Sequence, residues 1–365
     1  MPRLDNLFRY AKEQGASDVH LTAGEVPRLR LNGVLTPVEG LGAPDDAKLL
    51  ELLRELVDER QWTLYRAEGD LDFAYALEGV ARFRSNFLRQ ERGAAAVFRL
   101  IPDKIKPLEE LSMPEAIDEL ANLHSGLVLV TGPTGSGKST TLAAIVDRIN
   151  DTWPKHIVTI EDPVEFVHPE KRCVISQREV GSDTESFGAA LRAAIRQDAD
   201  VILVAELRDL ETIALALSAA EMGSLVLGTL HTNSAAKTID RLIDVFPARQ
   251  QDQIRNSLGD SLAAVVSQHL MRTIDGSGRC AAIEILLRSK GLANLIREGN
   301  TPMVYSVMQS GRAQGMRTMD ESLHELVRAG KVAADEAMRR AVEKQRFEVY
   351  LKDRPRAPTS TQATG

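Results

Sequence analysis

The sequence predicts an α/β fold: a phosphate-loop domain with a mostly parallel sheet, preceded by a small α+β domain and followed by C-terminal helices. Three observations carry this. First, Gly132-Pro133-Thr134-Gly135-Ser136-Gly137-Lys138-Ser139 fits G-x-x-x-x-G-K-[ST] and follows an apolar run at 127–130, reading as strand, turn and helix start. Second, four apolar runs, at 127–130, 157–160, 201–204 and 225–227, alternate with helical patterns, the layout of a parallel sheet. Third, the chain before residue 100 alternates apolar and polar residues around Gly-containing turns, the layout of hairpins.

In chain order, Leu4, Leu7, Phe8 and Ala11 recur at helical spacing and predict a short amphipathic helix. Leu29 and Leu31 run into Asn32-Gly33, then Val34 and Leu35, a hairpin signal. Residues 47–66 read as one helix with Leu49, Leu52, Leu53, Leu56 and Val57 on one face. Leu71, Phe73, Tyr75 and Leu77 alternate, Glu78-Gly79 turns the chain, and Ala81, Phe83, Ser85 and Phe87 continue the pattern. Residues 1–100 therefore read as one small domain. Its last strands are basic: from Gly79 to Lys106, seven basic residues stand against two acidic ones, a local +5 in a chain of net −7. Arg82 and Arg84 share a strand face, and Arg99 follows. Such a face either meets an anion, whether nucleic acid or the phosphates of a nucleotide held by a neighbouring domain or subunit, or is simply solvated.

Residues 101–114, with three prolines, read as a linker, 115–290 as the phosphate-loop core, 291–352 as a helical region with Gly breaks, and 353–365 as a disordered tail rich in Pro, Ser and Thr. Asp209 is a candidate N-cap for a helix carrying Leu210, Ile213, Leu217 and Ala220, with Gly223 past its end. From 248 the pattern is helical through Ile254, Leu258, Leu262, Val265 and Val266, and 280–287 resembles another strand.

The chemistry sits where the predicted strands end. Loop N–H groups and the positive end of the following helix suit phosphates; Lys138 would reach the β- and γ-phosphates and Ser139 a bound Mg²⁺, with Thr140 beside it. Glu161 directly follows a buried run and suits a general base. Glu206 closes the strongest apolar run, where nucleotide-hydrolysing domains place a magnesium-side carboxylate. His231 lies beyond the fourth run, where it suits a sensor of the terminal phosphate. Either glutamate could instead cap a helix or pair with Arg208, and the histidine could be a satisfied core residue. Arg192 and Arg196 read as one helical turn apart, facing a phosphate, an adjacent subunit or water. Ligands in such sheets bind beyond the carboxyl ends of the strands, so four polar residues in register make an active site.

Bulk properties agree with a globular chain of two or three domains: 365 residues, 43% hydrophobic and 27% charged. The net acidic charge argues against wholesale nucleic-acid binding. Cys173 and Cys280, without a C-x-x-C pair, offer neither a zinc site nor a disulfide framework. Residues 1–10 lack the apolar core of a secretory signal, and the expected location is cytoplasmic.

Together these motifs resemble the secretion-type hexameric ATPases, most closely the branch that retracts type IV pili. Residues 132–140 match the family's Walker A loop. Thr159-Ile160-Glu161-Asp162-Pro163-Val164-Glu165-Phe166 resembles its Asp box, whose first glutamate is the family's catalytic base. Residues 194–209 resemble its Walker B segment, and 228–247, with His231-Thr232-Asn233-Ser234, its His box. The likeness extends to Ser17-Asp18-Val19-His20-Leu21 and Gly315-Met316-Arg317-Thr318-Met319-Asp320. It implies a PAS-like first domain, a RecA-like core with appended helices, and a homohexamer that uses ATP and Mg²⁺ to power pilus retraction and twitching motility. It further implies that Arg82, Arg84 and Arg99 approach a nucleotide at a domain or subunit interface. The ring would act on a platform protein in the inner membrane and sit on that membrane's cytoplasmic face through this partner, with no nucleic acid expected. Ala205 stands where the family has glycine, Gln197 and Ala199 where it has Glu and Pro, and Ile283 where retraction ATPases often have histidine. An accessory retraction paralogue shares the Ala-Ala-x-Glu run at 281–284 and is one rival; the His box favours the main motor. Pilus-assembly and type II secretion ATPases, and a RecA-like nucleic-acid translocase, are the others.

Overall fold

Period-two burial builds the first part of the chain. The structure, a computed structural model, describes residues 2–31, 33–101, 104–276 and 278–352. These fall into two units divided between Ile105 and Lys106, with Glu161–Pro169 belonging to the first. In the first unit, α1 (Asp5–Glu13) is followed by β1 (Asp18–Thr22), β2 (Arg28–Leu31), β3 (Val34–Pro37), α2 (Asp46–Arg54), α3 (Glu59–Glu68), β4 (Asp70–Leu77), β5 (Ala81–Gln90) and β6 (Gly93–Ile101). The strands form an antiparallel sheet ordered β3-β2-β1-β6-β5-β4. Ala81, Phe83, Ser85 and Phe87 point inward from β5. Phe8 of α1 packs on Phe83 and Phe98 with ring centroids 4.6 and 4.8 Å apart. The β2–β3 hairpin pairs Leu31 with Val34, while Asn32 of its turn lies outside the described residues.

One expectation for this unit needs correction, and one strand is new. Residues 47–66 are not one helix: Asp58 starts α3 with a capping box, accepting the Gln61 N–H at 2.8 Å while its own N–H donates to the Gln61 side chain at 3.2 Å. Strand β6 is an addition, because Ala94-Ala95-Ala96 carries no apolar–polar alternation.

In the second unit, Leu108 is buried in the core, so the expected linker 101–114 is partly packed; Pro102 and Asp103 lie outside the described residues. The unit runs through α4 (Glu115–Asp118), β7 (Gly126–Thr131), α5 (Lys138–Thr152), β8 (His156–Glu161), β9 (Val174–Glu179), α6 (Phe187–Ala194), β10 (Val201–Val204), α7 (Leu210–Glu221) and β11 (Leu225–Leu230). It continues with α8 (Ala235–Asp244), α9 (Ala248–Ser261), β12 (Leu262–Arg272), β13 (Arg279–Leu287) and α10 (Lys290–Glu298). Finally come α11 (Val304–Ser310), α12 (Met319–Arg328), α13 (Ala334–Arg340) and α14 (Gln345–Lys352). The sheet order is β13-β12-β7-β11-β10-β8-β9. Strands β12, β7, β11, β10 and β8 pair in parallel, and β13 joins β12 antiparallel.

Helices cover both faces of this sheet, which explains the unbroken apolar runs: Ile202 and Val204 enter one core, Val201 and Leu203 the other. Asp209 caps α7 by accepting the Thr212 N–H at 2.9 Å, and Gly223, at φ 110°, follows its end. The expected helix through Leu262, Val265 and Val266 stops at Ser261. Those residues open β12, since a fully buried Ala/Val run satisfies either period and here it pairs with β7. Arg196 likewise lies past the end of α6, so it does not follow Arg192 on one helix; Arg192 pairs with Glu211 instead. The expected tail, 353–365, lies outside the described residues.

Candidate nucleotide site

Strands β7, β11, β10 and β8 lie side by side and parallel, so their carboxyl ends share one edge of the sheet. The phosphate loop leaves β7 there. Gly132, Gly135 and Gly137 have φ of 144°, 76° and 91°, a region that side chains rarely adopt. At Gly132 a Cβ would also meet the Gln268 carbonyl oxygen at 2.3 Å and Ser136 Oγ at 2.5 Å. Helix α5 starts at Lys138, and its first-turn N–H groups, including those of Ser139 and Thr140, have no acceptor within the helix. Pro133, Thr134 and Gly135 are exposed, and the Lys138 amine donates to the carbonyls of Gly132 and Pro133 at 3.0 and 3.2 Å. The buried Ser136 hydroxyl has no hydrogen-bond partner among the described residues, a vacancy of the kind a bound polar ligand fills.

Beneath the loop lies a support absent from the sequence-based reading. Gln268 of β12, 1% exposed, donates from Nε2 to the Ser136 carbonyl at 2.7 Å and accepts at Oε1 from the Thr141 hydroxyl at 3.0 Å. Its neighbour Ser267 bonds Thr131 Oγ1 at 2.8 Å, just before the loop. The signal in the sequence is three polar residues, Ser267-Gln268-His269, interrupting an apolar segment.

Glu206 follows β10 in a short segment clamped on both sides. Thr229 of β11 donates its hydroxyl to the Ala205 carbonyl at 2.5 Å and accepts the Leu207 N–H at 3.0 Å. Burial alone would push the Glu206 carboxyl up, but the Arg208 guanidinium, with Nε 2.6 Å from Oε1, and the nearby His231 hold it below its usual range. His231 Nε2 lies 3.2 Å from the same oxygen, and its ring is exposed rather than a core histidine. Pairing with Arg208 and a place at the site are therefore compatible for Glu206. Glu161 is the last residue of β8, buried, with Oε2 accepting the Glu165 N–H at 3.3 Å.

Arg82, Arg84 and Arg99 belong to the first unit. Arg84 stands opposite Arg99, which stands opposite Asp18, which stands opposite Arg30, on the outward side of the sheet. The buried Asp18 carboxylate accepts from Arg99 Nε at 2.9 Å and lies 3.4 Å from Arg30 Nε. Its burial favours the neutral acid, yet Ser17 and Arg99 keep its pKa lowered.

A glycine-rich loop between a buried parallel strand and a helix, with carboxylates at neighbouring strand ends, defines a P-loop nucleotide hydrolase. The chain belongs to the type II/IV secretion system protein family, whose model matches residues 1–361, and it is an ATPase. It is 48% identical over 338 residues to the type IV pilus retraction ATPase PilT of Pseudomonas aeruginosa, covering 93% of this chain and 98% of that one. It is 38% identical over 338 residues to the type IV pilus ATPase PilU of the same organism, covering 92% and 88%. A crystal structure of the pilus retraction motor PilT with bound ADP superposes with a TM-score of 0.89 at 42% identity, covering 96% of this chain and 99% of that one. The fold is accordingly α/β with a RecA-like ATPase core, an N-terminal domain and C-terminal helices.

Proposed function

We propose that the chain is a homohexameric, Mg²⁺-dependent motor that hydrolyses ATP to ADP and phosphate to power retraction of type IV pili. It works at the cytoplasmic face of the inner membrane, through a platform protein embedded there. The carrying observation is the shared sheet edge, where the phosphate loop, His231 and Glu206 follow β7, β11 and β10 and Glu161 ends the adjacent β8. Greater identity to the retraction ATPase than to its paralogue, 48% against 38%, favours the main motor. Among the described residues no helix is long and apolar enough to cross a membrane.

In this reading the loop amides and the N-terminus of α5 hold the phosphates, and Lys138 exchanges its two carbonyl acceptors for the β- and γ-phosphates. The Ser139 hydroxyl and the ionised Glu206 are hard oxygen donors that fit Mg²⁺, which when bound neutralises charge on the phosphates. Glu161 takes the proton of the water that attacks the γ-phosphorus as the bond to the bridging oxygen of ADP breaks. His231, linked through Glu206, meets the terminal phosphate and registers its departure. Arg82, Arg84 and Arg99 supply positive charge across a domain or subunit interface, an effect that can reach 10³–10⁵ in rate for arginines acting in trans. Deleting the gene tests the cellular role: surface pili in excess without retraction are expected, and loss of pili would overturn retraction in favour of assembly.

A further inference from the structure

Glu284 is a charged residue inside an apolar strand, flanked by Ile283 and Ile285 of β13. Its carboxylate is 3% exposed and lies between two helix starts. Oε1 accepts the N–H of Ala235, the first residue of α8, at 2.7 Å; Oε2 accepts the N–H of Met319, the first residue of α12, at 3.4 Å. Helix α8 directly follows the His231–Ser234 turn, whose Ser234 caps it. Helix α12 belongs to the C-terminal helical region.

The register places this tie level with the nucleotide loops. Leu230, Thr131, Ser267 and Glu284 are successive partners across β11, β7, β12 and β13. Leu230 precedes His231, Thr131 precedes the phosphate loop, and Ser267 precedes Gln268. On the C-terminal side, β13 is held at three consecutive residues. The Ile283 N–H donates to Ser322 Oγ at 2.8 Å, Glu284 takes Met319, and Ile285 forms a two-bond bridge with Arg317 at 2.8 and 2.9 Å. Beyond Met319 the chain of buried acceptors continues, because Asp320 accepts the N–H groups of Val342 and Glu343 at 2.8 and 2.7 Å.

A buried carboxylate is costly unless paired, and burial does raise the Glu284 pKa, against the pull of the two N–H groups. What a carboxylate supplies that an amide cannot is two acceptors and a negative charge at the positive ends of two helices.

We infer that Glu284 is a positioning residue for ATP hydrolysis: by pinning α8 and α12 together it fixes the His231–Ser234 turn and makes its placement depend on docking of the C-terminal helices. The catalytic half of this inference rests on His231 meeting the terminal phosphate. The structural half does not.

The test uses full-length Glu284→Gln, in which an amide NH₂ must face one of the two N–H donors. Expected are faster hydrogen–deuterium exchange in both 231–238 and 317–323 without nucleotide, and a kcat reduced about tenfold with KM for ATP within about threefold. Should that variant not fold, Ala235→Pro serves. Its site is the first helical position, and Ser234 before it is extended (φ −158°, ψ 156°), so the backbone accepts proline, while the N–H that Oε1 accepts is lost and the ring displaces the carboxylate from Ala235. The same kcat loss is expected, with faster exchange at 231–238. His231→Ala is measured in parallel. Unchanged kcat in His231→Ala overturns the sensor reading. With His231→Ala impaired, unchanged exchange at 231–238 or unchanged kcat in Glu284→Gln overturns the inference, as does unchanged kcat in Ala235→Pro.

Discussion

Replacing Gln268 by methionine keeps the length and volume of the side chain but removes both hydrogen bonds that support the phosphate loop. The Ser136 carbonyl loses a donor at 2.7 Å and the Thr141 hydroxyl an acceptor at 3.0 Å. Both residues are buried, so neither group gains water in exchange. A buried polar group left unpaired costs about 1–3 kcal/mol, giving about 2–6 kcal/mol for the pair. If the Thr141 hydroxyl rotates to another acceptor in its helix, about 1–3 kcal/mol remains. Because the two partners flank Gly137 and Lys138, the loss falls on the segment that must hold its shape around phosphates. If about 2 kcal/mol is felt there, nucleotide affinity drops about thirtyfold. Titration of a fluorescent ATP analogue at fixed temperature, with a thermal melt on the same sample, measures both effects. An affinity within twofold of the parent together with an unchanged melting temperature would refute the reasoning, since the cost must appear in one place or the other.

Lys138→Ala is expected to lose nucleotide binding, while Glu161→Gln still binds ATP and hydrolyses it about 10²–10⁴ times more slowly; near-parental turnover would move the base role elsewhere. The Glu206 carboxyl is held below its unfolded value by Arg208 and His231 against the opposing effect of burial. Its contribution to stability is therefore present above the unfolded pKa, roughly 4.3, and lost as the pH falls through the folded value. Urea denaturation of the parent and Glu206→Gln should show the parent's advantage at pH 7 shrinking at pH 4, and an advantage that grows on acidification contradicts the assigned sign. Diluting the protein until the proposed ring dissociates should lower specific ATPase activity; a rate independent of concentration removes arginines supplied in trans.

The phosphate loop of the proposed site was legible in the sequence because it is local. Glycines at 132, 135 and 137, a lysine and a serine at fixed offsets, and an apolar run before them describe a loop whose geometry its own residues determine. The four strands at its edge were legible for a related reason, since burial on both faces leaves no polar alternation to misread. The boundary at Asp58 was in principle readable from Asp58 and Gln61, three residues apart, but a continuous leucine face outweighed it. The opening of β12 was not readable, because buried Ala and Val suit a helix as well as a strand until β7 is beside them. Gln268 and Glu284 lie beyond local reading altogether. Their partners, Ser136 and Thr141 for one and Ala235 and Met319 for the other, are 132, 127, 49 and 35 residues away. A polar side chain inside an apolar strand marks such a residue, but only strand register shows what it holds. The division is physical: the phosphate loop is shaped by short-range backbone geometry, and the groups that hold it in place are arranged by packing between distant segments. Substitutions of the second kind should alter the rate through the shape of the loops, with their chemistry intact.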